Sequence, residues 1–105
     1  MTDYVPQDAI GFSTYLENIL AKYSLSGSEF ARQIHVNRST ISLYRSGDRL
    51  PDDPIIAEIA IYLVKNKKSD LDLDILVKEI LYAVHISKMR KLYAVHVSQM
   101  RKAER

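Results

Sequence analysis

Over positions 1 to 9 the apolar residues follow no period, and Pro6 discourages a helix, so this stretch is expected to be a loose arm. From Ile10 onward, Phe12, Leu16, Ile19 and Leu20 recur at intervals of three and four, the spacing of one buried helical face. They predict a first helix over about 11–23. "SLSGS" then interrupts the pattern with small residues, and Ser26 or Ser28 can cap the next helix, about 27–34, whose inner face is Phe30, Ala31 and Ile34. Val36 follows too soon to continue that face. Asn37 is a good N-cap, so a third, short helix is expected to start at Arg38, run through Ile41 and Tyr44 and stop at Gly47. "DRLPDDP" reads as a loop, with Asp53 before Pro54 as the cap of a fourth helix that carries Ile55, Ile56, Ile59, Ala60, Leu63 and Val64 to about residue 65. After "KNKKSD", Ser69 or Asp70 opens a last apolar-rich segment.

That segment contains a repeat. "LYAVHISKMRK" over 81–91 is followed at once by "LYAVHVSQMRK" over 92–102, with differences only at Ile86/Val97 and Lys88/Gln99. Eleven residues are close to three helical turns, at about 3.67 residues per turn, so equivalent residues recur on nearly one side of a continuous helix. Leu81, His85, Met89, Leu92, His96 and Met100 then form a stripe, with Val84 and Val95 beside it. A strand is the competing reading, because "YAVHVS" alternates and is rich in β-branched residues. No Gly, Asn or Pro between 70 and 105 is available to turn a hairpin, which favours one long helix.

At 105 residues the chain is long enough for one small core. It has no cysteine for a disulfide framework or a thiolate metal site. The N-terminus is acidic where a signal peptide is basic, and no apolar run reaches the roughly 18 residues of a membrane span; a soluble cytoplasmic protein is expected. The net charge of +2 conceals an uneven distribution. Residues 1–21 carry −3, residues 22–51 carry +3, residues 52–80 carry −3 and residues 81–105 carry +5. Clustered positive charge is the footprint of a polyanion binder, although solvated helix faces also produce charge runs.

The second and third helices are spaced as a helix-turn-helix. Two helices joined by a turn of three or four residues pack at a steep angle when the first offers a small residue at the crossing, here Ala31. The stretch "SEFARQIHVNRSTISLYRSG", followed by "DRLP" and "PIIAEIAIYL", resembles the lambda-repressor and Cro-like (Xre) family of DNA-binding proteins over about residues 10–66. "VNRSTIS" and the closing "YRSG" carry the resemblance. Two positions depart from the family pattern: His35 stands where the family most often has glycine, and Gly27 where it often has a polar, DNA-contacting residue. His35 must then adopt a left-handed backbone conformation, which His tolerates better than branched residues do.

The resemblance implies an all-α fold: a lambda-repressor-like helix-turn-helix domain of four to five helices with a long C-terminal helix. It also implies double-stranded DNA as partner. In the major groove a helix reads bases with its N-terminal side chains. Arg38 can donate two hydrogen bonds to guanine, Ser39 and Ser42 can bond bases or phosphates, and Thr40 can place a methyl against thymine. Ser28 and Asn37 sit at helix starts that favour phosphate, and Arg45, Arg49 and Lys22 are cast as phosphate contacts. Tyr44, at the inward spacing from Ile41, is assigned to the core.

Catalysis finds little support, and neither cofactor nor metal is expected. His85 and His96 would lie about 16 Å apart along a helix, too far to chelate one ion. "SDLDLD" lacks the glycine and distal glutamate of a calcium loop and reads as an acidic helix start. Helices one to four are expected to bury one another, which leaves the extension over 69–105 three readings: core, a dimerisation helix, or a basic surface touching DNA through Lys88, Arg90, Lys91, Arg101 and Lys102. Dimerisation is favoured, because one short helix reads few base pairs and such modules pair on two-fold sites. A recent duplication would also explain the repeat. The expected function is a sequence-specific transcriptional regulator, a phage or mobile-element repressor occupying a two-fold operator as a homodimer. The alternative is an antitoxin-type protein that binds DNA and neutralises a partner protein through its C-terminal segment.

Overall fold

The computed structural model of the protein describes residues 9–67 and 69–103. The arm expected over 1–9 lies, but for Ala9, outside the described residues. The architecture is all-α, with five helices and no strand among the described residues: α1 (Phe12–Lys22), α2 (Gly27–Gln33), α3 (Arg38–Ser46), α4 (Asp53–Asn66) and α5 (Leu73–Ala103). None of these helices is long and apolar enough to cross a membrane.

The helix ends follow from local chemistry. The first three helices each stop at a residue with positive φ: Ser24 (52°), His35 (63°) and Gly47 (82°). The next residue then turns its N–H back to a carbonyl of the final turn, Leu25 to Leu20 at 2.9 Å, Val36 to Ala31 at 2.9 Å and Asp48 to Leu43 at 3.0 Å. This satisfies carbonyls that the helix itself leaves unpaired. Ser26 caps α2 by accepting the Glu29 N–H at 3.0 Å, one of the two serines expected to do so.

Two starts differ from expectation. Asp52, rather than Asp53, caps α4 by accepting the Ile55 N–H at 3.3 Å, and Pro54 falls in the first turn, where its missing N–H costs nothing. The last helix starts at Leu73, four residues beyond Ser69, whose hydroxyl instead accepts the Leu71 N–H in the preceding bend.

α1 has no capping side chain of its own, since Gly11 occupies that position. Ser87, 75 residues later on α5, accepts the Phe12 N–H at 2.8 Å in its place. A Cβ on Gly11 would lie 2.7 Å from that hydroxyl oxygen, so only glycine permits this approach without displacement. The Arg90 guanidinium reinforces the junction by donating to the Ala9 carbonyl.

One core gathers all five helices. Phe12, Leu16, Phe30, Ile34, Ile41, Ile59, Leu63 and Ile80 are its largest fully buried side chains. Leu76, Ala83 and Val84 join the same cluster from α5. Helices one to four, expected to bury one another, therefore do not close the core alone; the first half of α5 covers it. The reason is that α4 and α1 each present a broad apolar surface, and Leu76, Ile80, Ala83 and Val84 recur at the three- and four-residue spacing that fills it.

Over 81–102 the helical reading of the repeat holds, and α5 runs through both copies without a break. The copies occupy different surroundings. Ala83, Val84 and Ile86 of the first are buried, whereas the equivalent Ala94 and Val95 are exposed and Val97 is half-buried.

Candidate nucleic-acid interface

α2 and α3 are joined by the four residues Ile34–Asn37. Ala31 is buried in this pair, as the need for a small residue at the crossing predicts, and Ile34, Ile41 and Tyr44 are sealed beneath it. The Tyr44 ring meets Phe12 edge-on, with centroids 5.7 Å apart, so it is a core residue. Burial pushes its hydroxyl above the ordinary tyrosine range, with the Arg49 guanidinium opposing the shift.

With Ile41 and Tyr44 inward, the opposite side of α3 carries Ser39, Ser42, Leu43 and Ser46, all exposed. Arg38 and Asn37 stand exposed at its N-terminal end. The Asn37 side chain does not cap the helix; the Asn37 backbone carbonyl accepts the Thr40 and Ile41 N–H groups at 3.0 and 3.2 Å. The amide thus remains at the leading edge. Ser28, exposed in the first turn of α2, lies next to Gly27, which borders α3.

Four expected contact residues sit elsewhere than the outer face. Thr40 is half-buried and lines a groove of about 430 Å³ with Asn37, Tyr44, Arg49 and Asp52, on the side toward α4. Arg49 is exposed at the mouth of that groove. Arg45 is held to α1: its Nε donates to Glu17 Oε1 at 2.6 Å and its second nitrogen to Glu17 Oε2 at 3.3 Å. Lys22, at the end of α1, lies over the Tyr23 ring at 5.3 Å from its centroid.

Gly27 now has a physical account. A Cβ there would stand 3.0 Å from an Arg45 nitrogen and 3.4 Å from the Ile41 side chain. A larger residue would push α3 or the Arg45–Glu17 pair aside. Close packing therefore occupies the position where a polar contact residue is common in the resembled family.

Leu43 is the residue that reading the sequence passed over. It is 40% exposed at the centre of the serine face, and nothing in the core explains it. Its spacing from Ser39 and Ser46, four and three residues, was a sufficient signal. Comparison of the chain with protein-family models, with curated proteins and with solved structures finds no match.

Proposed function

We propose that the protein is a sequence-specific double-stranded DNA-binding regulator of transcription, a repressor of the phage or mobile-element kind, whose α2–α3 pair forms a lambda-repressor-like helix-turn-helix. The observation that carries this reading is α3 itself. It is nine residues long and anchored by Ile41 and Tyr44, and it presents Arg38, Ser39 and Ser42 from an exposed N-terminal half.

The B-DNA major groove, about 12 Å wide, admits one such helix. In the bound state Arg38 donates two parallel hydrogen bonds to guanine O6 and N7, and Ser39 and Ser42 reach base edges or phosphates. Leu43 supplies the apolar contact with a thymine methyl that the half-buried Thr40 is less well placed to give. Arg49, Ser28 and the Asn37 amide contact phosphate and fix the register. Occupancy of an operator then excludes polymerase.

Selection of binding sites from random duplexes tests the reading. A single enriched motif containing guanine, bound at least about 10³-fold more tightly than random sequence, is the expected result. Recovery of no motif, with affinity set only by salt, would overturn it.

A further inference from the structure

The outer side of α5 carries an apolar stripe that no described residue covers, although Leu81 and His85 at its start border a groove shared with Pro51, Asp52, Asp53 and Pro54. Leu76, Ile80, Ala83 and Val84 face the core, and at about 100° per residue Leu81, His85, Met89, Leu92, His96 and Met100 fall on the far side. Leu81, Leu92 and Met100 are 43, 64 and 52% exposed. Both histidines are exposed, and Met89 is half-buried. Tyr82 and Tyr93 flank the stripe, 49 and 52% exposed. The differences between the two repeat copies, Ile86/Val97 and Lys88/Gln99, both lie off it.

We infer that this stripe binds a second copy of the chain, antiparallel, in a register that pairs Leu81 with the partner's Met100, His85 with the partner's His96 and Met89 with the partner's Leu92. This goes beyond the DNA-binding reading and stands independently of it.

Three features choose this occupant. The spacing along the stripe is 4, 4, 3, 4, 4 and reads identically from both ends, so a two-fold axis between Arg90 and Lys91 superposes it on itself. Met89, Leu92, Tyr93 and His96 line a groove of about 280 Å³ beside that axis.

Charge sets the direction. The start of the segment is acidic, with Asp70, Asp72, Asp74 and Glu79, and its end is basic, with Lys88, Arg90, Lys91, Arg101 and Lys102. In this register residues 76–105 of the two chains overlap, and antiparallel pairing sets Glu79 beside the partner's Arg101, whereas parallel pairing would set Glu79 on Glu79 and Arg101 on Arg101. The helix dipoles favour the same direction.

Area is the third feature. Leu81, Tyr82, Leu92, Tyr93 and Met100 are about half exposed, and at roughly 200 Å² for a full side chain they offer about 500 Å² per chain. The two histidines and Met89 extend this toward the ~800 Å² per partner typical of stable pairs.

Cysteine cross-linking reads the register directly, because the native chain contains no cysteine. His85→Cys and His96→Cys chains are made separately in the full-length protein and oxidised alone and mixed. A disulfide needs Cα atoms roughly 4.4–6.8 Å apart. The mixture should form a disulfide-linked dimer while neither chain alone does so. Self-linking of His85→Cys at the rate of the mixture would show a parallel pair and overturn the register. Sedimentation of the native chain as a monomer at tens of micromolar would overturn the pairing itself. As a control for folding, Leu92→Glu should keep its helix content and weaken the dimer at least about 100-fold, because the two-fold axis buries the charge twice. An unchanged mass would exclude the stripe as the interface.

Discussion

Arg45 and Glu17 form a bidentate ion pair, 2.6 Å at its shorter contact, that ties α3 to α1. Both side chains are nearly half exposed, at 43 and 47%, so the pair contributes at most about 1 kcal/mol to stability. On the proposed DNA-binding reading its larger effect is on charge, because Glu17 occupies the guanidinium that was expected to contact phosphate. Glu17→Gln should leave the melting temperature within a few degrees of the native value while raising DNA affinity at low salt. The salt slope should steepen by roughly one unit as Arg45 is released. A titration with an unchanged slope would show that Arg45 stays away from the DNA in either state.

Arg38→Ala tests base reading. Loss of a bidentate contact to guanine should cost about 1 to 3 kcal/mol at the selected site and relax preference at one base pair. Competition among duplexes varied one position at a time measures this. A uniform loss over all sequences would make Arg38 a phosphate contact.

Arg49→Ala has the opposite signature. Its place at the mouth of the groove beside Thr40 and Asp52, off the serine face, fits backbone contact. Affinity should fall alike on selected and random duplexes, and the salt slope should drop by roughly one unit. Loss of preference at a single base pair would reassign it to base reading.

The α2–α3 pair was legible in the sequence because its determinants are local. Ala31, the start at Arg38 and the Gly47 stop lie where spacing predicts, although Asn37 holds the N-cap position without a side-chain bond. The contacts that escaped are distant in sequence. Arg45 and Glu17 are 28 residues apart, and Ser87 and Phe12 are 75 apart, so no local pattern announces either. α5 misled for another reason. Its apolar residues lie on two opposite sides, one against the core and one exposed, and periodicity alone does not say which is buried.

His35 holds φ at 63°, in the left-handed region, at the turn between α2 and α3. A side chain there costs about 1 kcal/mol relative to glycine. His35→Gly should raise stability by up to about 1 kcal/mol, and His35→Val should lower it by more, because branching at Cβ worsens the clash. Urea denaturation followed by circular dichroism measures both. Destabilisation by glycine would show that the imidazole makes a contact worth more than the backbone strain.

The two halves of α5 should separate folding from self-association. Ending the chain after Lys78 removes Ile80, Ala83, Val84 and Ile86 from the buried set, together with the Ser87 hydroxyl that caps α1. At about 1.5 to 3 kcal/mol for each large aliphatic side chain, Ile80, Val84 and Ile86 alone represent roughly 5 to 9 kcal/mol. That is comparable with the whole stability of a small domain, about 5 to 15 kcal/mol, so this chain should not fold. Ending after Lys91 keeps all of those groups and removes Leu92, His96 and Met100, half of the stripe. This chain should melt cooperatively, retain α1 to α4 by circular dichroism and sediment as a monomer. A folded chain ending at Lys78 would show that helices one to four do suffice, and that Ile80 and Val84 cover a core already closed.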